Sequence, residues 1–229
     1  MAARADQIRT AQSLKTGTLT HAQMAAVVGV EQGDLESILC LADLRAGTDG
    51  PASMLQDNFN SLAAWTVAGT ATVATNKLSV GTDGTSAATD GPTFDLTGSS
   101  LTIKVTAPSR LASNNTTATV TLKSGNVKID VYVRYDGLVS YDLTNTRTSV
   151  TYNTGATHAG ASPVWVRVRE AAGLVYVDYS TDGKTWTNMD SFNYKTWAGG
   201  FTPSAMQLVL TGAQGDVSHL AVFEKLNLN

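Results

Sequence analysis

From Leu55 onward, short apolar-rich runs alternate with turn residues, and the runs carry the period of a strand. The clearest case is Trp165-Val166-Arg167-Val168-Arg169 followed by Val175-Tyr176-Val177-Asp178-Tyr179. Trp165, Val166 and Val168 stand against Arg167 and Arg169, and Val175 and Val177 stand against Tyr176 and Asp178. Period two puts alternate side chains on opposite faces, so these read as two strands of a sheet with one buried face. Asp182-Gly183 then supplies the positive φ that a tight turn requires. Further strands are predicted at Trp65–Val67, Lys77–Val80, Leu101–Val105, Ala118–Leu122, Met206–Leu210 and Leu220–Phe223. Lys128–Val133 and Leu138–Tyr141 read as a hairpin about Asp136-Gly137. Ser109–Thr117 and Asn145–Ser162 read as loops, and Trp65 and Trp165 fall on predicted core faces. Many short strands at regular spacing predict a mainly β antiparallel sandwich or barrel.

The first 46 residues have a different pattern. Three helices are predicted: Ala3–Leu14, His21–Val28 behind Thr20 as N-cap, and a third opened by Asp34. Gly29 ends the second. Their apolar positions Ile8, Leu14, Met24, Val28, Leu35 and Ile38 form a candidate docking face, because a unit this small makes a poor core alone. The organisation read from the pattern is a helical adaptor over 1–46, a Gly/Asp/Pro-containing linker over 47–54 and a β-sandwich over 55–229. The spacing around Gly29 has a helix-turn-helix look, but Glu31, Asp34 and Glu36 sit where phosphates would have to approach.

The strand pair and its turn, W-x-R-V-R followed by Y-S-T-D-G-K-T-W, resemble the concanavalin A-like lectin/glucanase superfamily. The opening Asp57-Asn58-Phe59-Asn60, Trp65 and Leu78, and the closing Gly215–Leu226, are similar to that superfamily's first and last elements. The resemblance covers residues 55 to 229 and implies a jelly-roll sandwich whose last strand pairs with its first. It implies no single function, because the superfamily includes glycosidases, lectins, adhesion modules and phage appendages.

Glucanases of the superfamily carry Glu-x-Asp-x-(x)-Glu on one strand. Here the glutamates are Glu31, Glu36, Glu170 and Glu224, and none has a glutamate partner at that spacing. Asp182 reads as a turn residue, and Asp130 and Asp136 as solvated. His21, His158 and His219 are scattered, and the lone Cys40 lies in an apolar run, so zinc, a disulfide and a nucleophilic cysteine find no support. No cofactor or metal is expected. Charged residues make up 15% of the chain and the formal net charge is −3, which disfavours a nucleic-acid partner. No apolar stretch has the length of a membrane span. Trp197, Phe201, Tyr194 and Asn193 form a candidate sugar platform, since glycan sites combine aromatic faces with a few fixed polar groups.

These features lead to an expectation of a non-enzymatic bacteriophage virion protein, a capsid decoration or minor tail protein. It would be assembled in the host cytoplasm, present in many copies and docked to other virion proteins through its N-terminal helices. A stand-alone carbohydrate-binding module is the alternative, and a divergent glycoside hydrolase using Glu170 or Glu224 is the third reading.

Overall fold

Along β7 (Ser100–Thr106) every second residue, Leu101, Ile103 and Val105, is fully buried, and the same alternation recurs through the long strands. In the computed structural model, residues 50–90, 93–111, 115–148, 150–153, 157–158, 163–197 and 200–228 are described. The helices predicted over 1–46, with Ile8, Leu14, Met24, Val28, Leu35 and Ile38, lie outside those residues.

Two antiparallel sheets form a sandwich. The front sheet runs in the order β11 (Val150–Asn153), β10 (Leu138–Asn145), β9 (Val127–Arg134), β8 (Thr117–Ser124), β16 (Gln207–Ala213), β5 (Ala87–Asp90) and β2 (Trp65–Ala68), with β12 (Thr157–His158) also on β10. The back sheet runs β15 (Thr187–Asn193), β14 (Leu174–Ser180), β13 (Val164–Ala171), β7, β17 (Leu220–Glu224), β4 (Lys77–Gly81) and β3 (Ala71–Ala74). A short parallel pair joins β1 (Gly50–Pro51) to β6 (Phe94–Asp95).

The core lies between the sheets. Ile129, Val131 and Val133 of β9 point inward from the front, and Val164, Val166 and Val168 of β13 from the back. Full burial of each such side chain is worth about 1.5–3 kcal/mol. A one-residue slip of any strand would turn its valine row to water, so the alternation also sets the register. The Tyr141 hydroxyl crosses from the front sheet to donate to Asp190 on β15, 3.2 Å away.

The motifs at the two ends of the sandwich hold it closed. Asp57 accepts hydrogen bonds from the Phe59 amide at 2.6 Å and the Trp65 indole at 2.8 Å, and it bridges to Leu226. Asn227 donates to the carbonyls of Ala52 and Leu55 at 2.7 Å each and accepts from the Thr102 amide at 2.6 Å. The last strand, β17, lies between β4 and β7, and the closing segment just beyond it pairs with the opening one through the antiparallel Asp57–Leu226 backbone bridge, to which these side chains add. Residues 50–54, read from sequence as linker, are part of the sandwich: Ala52 is fully buried.

Several strands were not legible. β3 (ATVA) and β5 (AATD) offer little contrast between faces. β15 is a polar edge strand with a register shift opposite Val177 and Asp178. β11 and β12 lie inside the predicted loop 145–162, and their pairing comes from their partner β10.

Trp165 also departs from expectation. Its row, with Arg167 and Arg169, faces outward, while Val164, Val166 and Val168 take the core. The indole is covered instead by the Gly183 turn and by Lys225, whose Nζ lies 5.7 Å from the ring centre. Gly183 has φ +74°, and a Cβ there would sit 2.8 Å from the Trp165 ring. Gly183→Ala is therefore expected to cost about 1–2 kcal/mol for the left-handed backbone alone. Moving the indole should add to that. Urea unfolding checks this, and an unchanged midpoint would refute the packing role.

Asp178 organises the outer side of this region. It is 1% exposed. Its Oδ2 accepts from Nε of Arg167 and Nε of Arg169, both at 2.8 Å, with Arg167 Nη2 also at 2.8 Å. Its Oδ1 accepts from Asn188 at 2.9 Å. Arg167 stacks on Trp186 at 4.2 Å and Arg169 on Tyr176 at 3.9 Å. A carboxylate so enclosed is stable only because its oxygens are paired.

Candidate functional site

The outward rows of β5, β8, β9 and β16 enclose an open cleft of about 470 Å³. Four threonines, Thr89, Thr119, Thr121 and Thr211, line it with Lys123, Lys128, Asp130, Tyr132 and Gln207. Period two on β9 brings Lys128, Asp130 and Tyr132 into one line along the floor.

Asp130 is the best-held group there. It is 3% exposed, so the expectation of a solvated aspartate is corrected: β8 and β10 flank it on both sides. Thr121, directly opposite on β8, donates to its Oδ1 at 2.6 Å. The Lys128 ammonium pairs with its Oδ2 at 2.5 Å. On the other side, β10 places Asp142 directly opposite Asp130. The Tyr132 phenol lies beside both carboxylates. Burial first, and then the charges of Asp130 and Asp142, push its pKa well above the usual tyrosine range. Tyr132 therefore stays an O–H donor at neutral pH.

The row Lys128-Ile129-Asp130-Val131-Tyr132 sets one carboxylate on the outer face of β9 between a lysine and a tyrosine. A search for glutamates passes over it. The second carboxylate was obtainable from the hairpin, since Asp130 and Asp142 are equidistant from the Asp136 turn.

The glutamates singled out from sequence stand elsewhere. Glu170, 6% exposed, accepts from the Gly98 amide at 2.6 Å and the Gly173 amide at 2.7 Å, tying two turns together. Glu224 lies on the back sheet between Lys104 at 3.1 Å and Lys77 at 3.4 Å. Neither lines the cleft. Among the described residues, no group of three or more His, Cys, Asp or Glu is arranged to hold a metal ion.

Tyr194, Trp197 and Phe201 are brought together, but around Phe192 rather than at the cleft. Phe201 meets Phe192 and Tyr194 edge-on at 5.7 and 5.8 Å, and Trp197 meets Phe192 at 6.5 Å. Phe201 is buried, Trp197 and Tyr194 half-buried, and Asn193 exposed. The Asn193 side chain accepts from the Lys195 amide, and its carbonyl from the Trp197 amide, at 3.1 Å each. His158 falls in β12, and His219 approaches Asp216 at 2.8 Å just before β17.

The turn aspartates give a pH dependence. Hydroxyls of Thr85 and Ser86 lower Asp83 to about 2, and Arg134 does the same for Asp136. Asp182 is held lower still, first by the Thr185 and Lys184 amides, and Asp216 first by the Ser218 hydroxyl and His219. A depressed carboxylate stabilises the fold fully above its unfolded pKa of about 4, and that contribution is lost as pH falls through the folded value. The melting temperature should thus be level from about pH 7 to 5 and drop between about 4 and 2. A decline already complete at pH 5 would contradict this.

No family model matches the chain, and no curated protein sequence matches it. Solved structures do share its fold. A Crh5 transglycosylase in complex with NAG matches with a TM-score of 0.55 at 14% identity, over 74% of this chain and 80% of that one. A Bacillus licheniformis β-glucanase matches with 0.54 at 9% identity, over 76% and 94%. The κ-carrageenase of Pseudoalteromonas carrageenovora, in complex with an oligotetrasaccharide of κ-carrageenan, matches with 0.53 at 12%, over 75% and 90%. At these identities the likeness shows the fold, and that fold is the concanavalin A-like jelly-roll sandwich. The expectation of a non-enzymatic bacteriophage virion protein is corrected by these neighbours, which are glycoside hydrolases and transglycosylases. The physical reason is that spacing along one strand does not show carboxylates that cross-strand register brings together, as it does Asp130 and Asp142.

Proposed function

We propose that this chain is a divergent glycan-processing domain, a glycoside hydrolase or transglycosylase whose cleft takes a polysaccharide across β16, β8 and β9. The observation that carries the reading is Asp130, buried in the floor of an open cleft and set directly opposite a second carboxylate, Asp142. Breaking a glycosidic bond needs one carboxyl group to protonate the leaving oxygen and another to act as nucleophile or base. Asp130, ion-paired with Lys128 and hydrogen-bonded by Thr121, takes the anionic role. Asp142, directly opposite on β10, is assigned the second carboxyl's role, and Tyr132 supplies an O–H beside both. The shared fold supports the reading, since those neighbours include a β-glucanase and a transglycosylase.

Reducing-end release and transfer to a labelled acceptor, over β-glucans, chitin oligosaccharides and carrageenans, test it. Turnover that disappears with Asp130→Asn is expected. Absence of cleavage and transfer on every substrate would reject enzymatic action.

A second reading, a carbohydrate-binding module on the same cleft, is favoured by one observation. Lys128 and Tyr132 flank Asp130 on the outer face of β9, and Lys128 neutralises Asp130. Calorimetric binding without product would select it. Trp197, beside Tyr194 and Asn193, is proposed as a secondary sugar contact outside the cleft, and residues 1–46 as a helical docking segment.

A further inference from the structure

The outer face of the back sheet carries an arginine–aromatic ladder, on the side of the sandwich away from the cleft. Arg167 and Arg169 stand two residues apart on β13, so their side chains emerge roughly 7 Å apart along the strand. Each guanidinium lies on an aromatic ring, Trp186 or Tyr176, and each gives its Nε to the same buried oxygen of Asp178. Two long, flexible side chains are thereby held in one orientation before any ligand arrives. Their pairing with Asp178 uses the inner edge, and the side chains remain 24% and 31% exposed. Among the described residues, the terminal amino groups of Arg169 make no hydrogen bond.

The charge around the ladder is positive on an acidic chain. Arg167 and Arg169 share Asp178, Lys104 and Lys77 share Glu224, and Lys225 lies over Trp165, whereas the whole chain carries a formal net charge of −3. Asp178 is enclosed by its donors and presents little negative surface. A stacked, pre-oriented guanidinium fork suits sulfate or carboxylate through two parallel hydrogen bonds, with little entropy left to lose.

We propose that this face binds an anionic polysaccharide, one bearing sulfate or carboxylate groups along its length, with Arg167 and Arg169 gripping successive anionic groups. The site is separate from the cleft and does not depend on what the cleft does. A repeating anion fits two forks in line on a strand. A nucleic acid fits less well, because two arginine forks cannot supply the many phosphate contacts on which such binding rests.

The test is calorimetry on the full chain with dextran sulfate, with neutral dextran and duplex DNA as comparisons. Dextran sulfate should bind and dextran should not. Arg169→Lys keeps the charge and can keep the Asp178 pair, but it loses the fork and most of the stacking. It should weaken binding about tenfold, the loss of one good charge-assisted pair. Arg110→Gln, at an exposed arginine in the β7–β8 connection, over Tyr135 of the β9–β10 turn, should change affinity less than about twofold by salt-screened charge alone. Tyr176→Leu removes the ring beneath Arg169 without touching either arginine, and should also weaken binding if Arg169→Lys proves poorly folded. The proposal is overturned if dextran binds as well as dextran sulfate, if Arg169→Lys and Tyr176→Leu both bind like the parent, or if duplex DNA binds more tightly. Asp130→Asn should leave this binding intact, so a failure here and a failure of the cleft are told apart.

Discussion

Replacing Asp178 with alanine is expected to destabilise the fold by about 3 kcal/mol, the lower end of the range for breaking a buried ion pair. The lower end applies because Arg167 and Arg169 are partly exposed and water screens part of their charge. Three effects combine. Two guanidinium groups lose their common acceptor, Asn188 loses its partner, and β15 loses the side-chain link at its irregular pairing with β14. Urea unfolding measures the loss. A double-mutant cycle with Arg169→Ala should show strong non-additivity, since the two residues share one interaction. A loss under about 1 kcal/mol would mean that the ladder is held by stacking alone.

The second large effect is on turnover. Under the proposed function, Asp130→Asn should reduce glycan cleavage or transfer by about 10²–10⁴-fold, the usual contribution of a positioned acid or base group. Its melting temperature should change little, because asparagine can still accept from Thr121 while Lys128 is free to turn to water. Asp142→Asn should show a loss of similar size. Glu170→Gln is the contrast. It should lower stability, because the Glu170 carboxylate accepts from two turn amides, and leave the chemistry intact. Unchanged turnover in both aspartate variants would remove the pair from the mechanism.

These two predictions differ in how much of their basis could be read along the chain. The Arg167/Asp178 and Arg169/Tyr176 pairs follow from the alternation of β13 and β14 once the short turn between them is placed. The stacking of Trp186 on Arg167 does not follow, because it depends on how the Asp182-Gly183 turn folds back over the strand pair. Trp165 shows the same limit. A tryptophan next to valines reads as core, yet parity puts it on the arginine row, where a glycine turn and Lys225 cover it. Asp130 is the reverse case. A lone aspartate between apolar residues reads as solvated, and only the flanking strands show that it is enclosed. Of the platform residues, Trp197 and Phe201 meet Phe192, which lies on a strand too polar to be recognised, and Tyr194 meets Phe201.

What the sequence by itself determined is therefore local and periodic: the long strands, the Asp-Gly turns, the faces of most side chains and the jelly-roll likeness. Period two and turn chemistry act over a few residues, so they are written in the order of the chain. Strand order, the closure of the ends by Asp57 and Asn227, and the meeting of Asp130 with Thr121 and Asp142 were decided only by the tertiary structure. Each joins residues across a sheet or between chain ends. What selects those meetings is the burial of two valine-rich faces against each other, a property of the whole sandwich that no short segment carries.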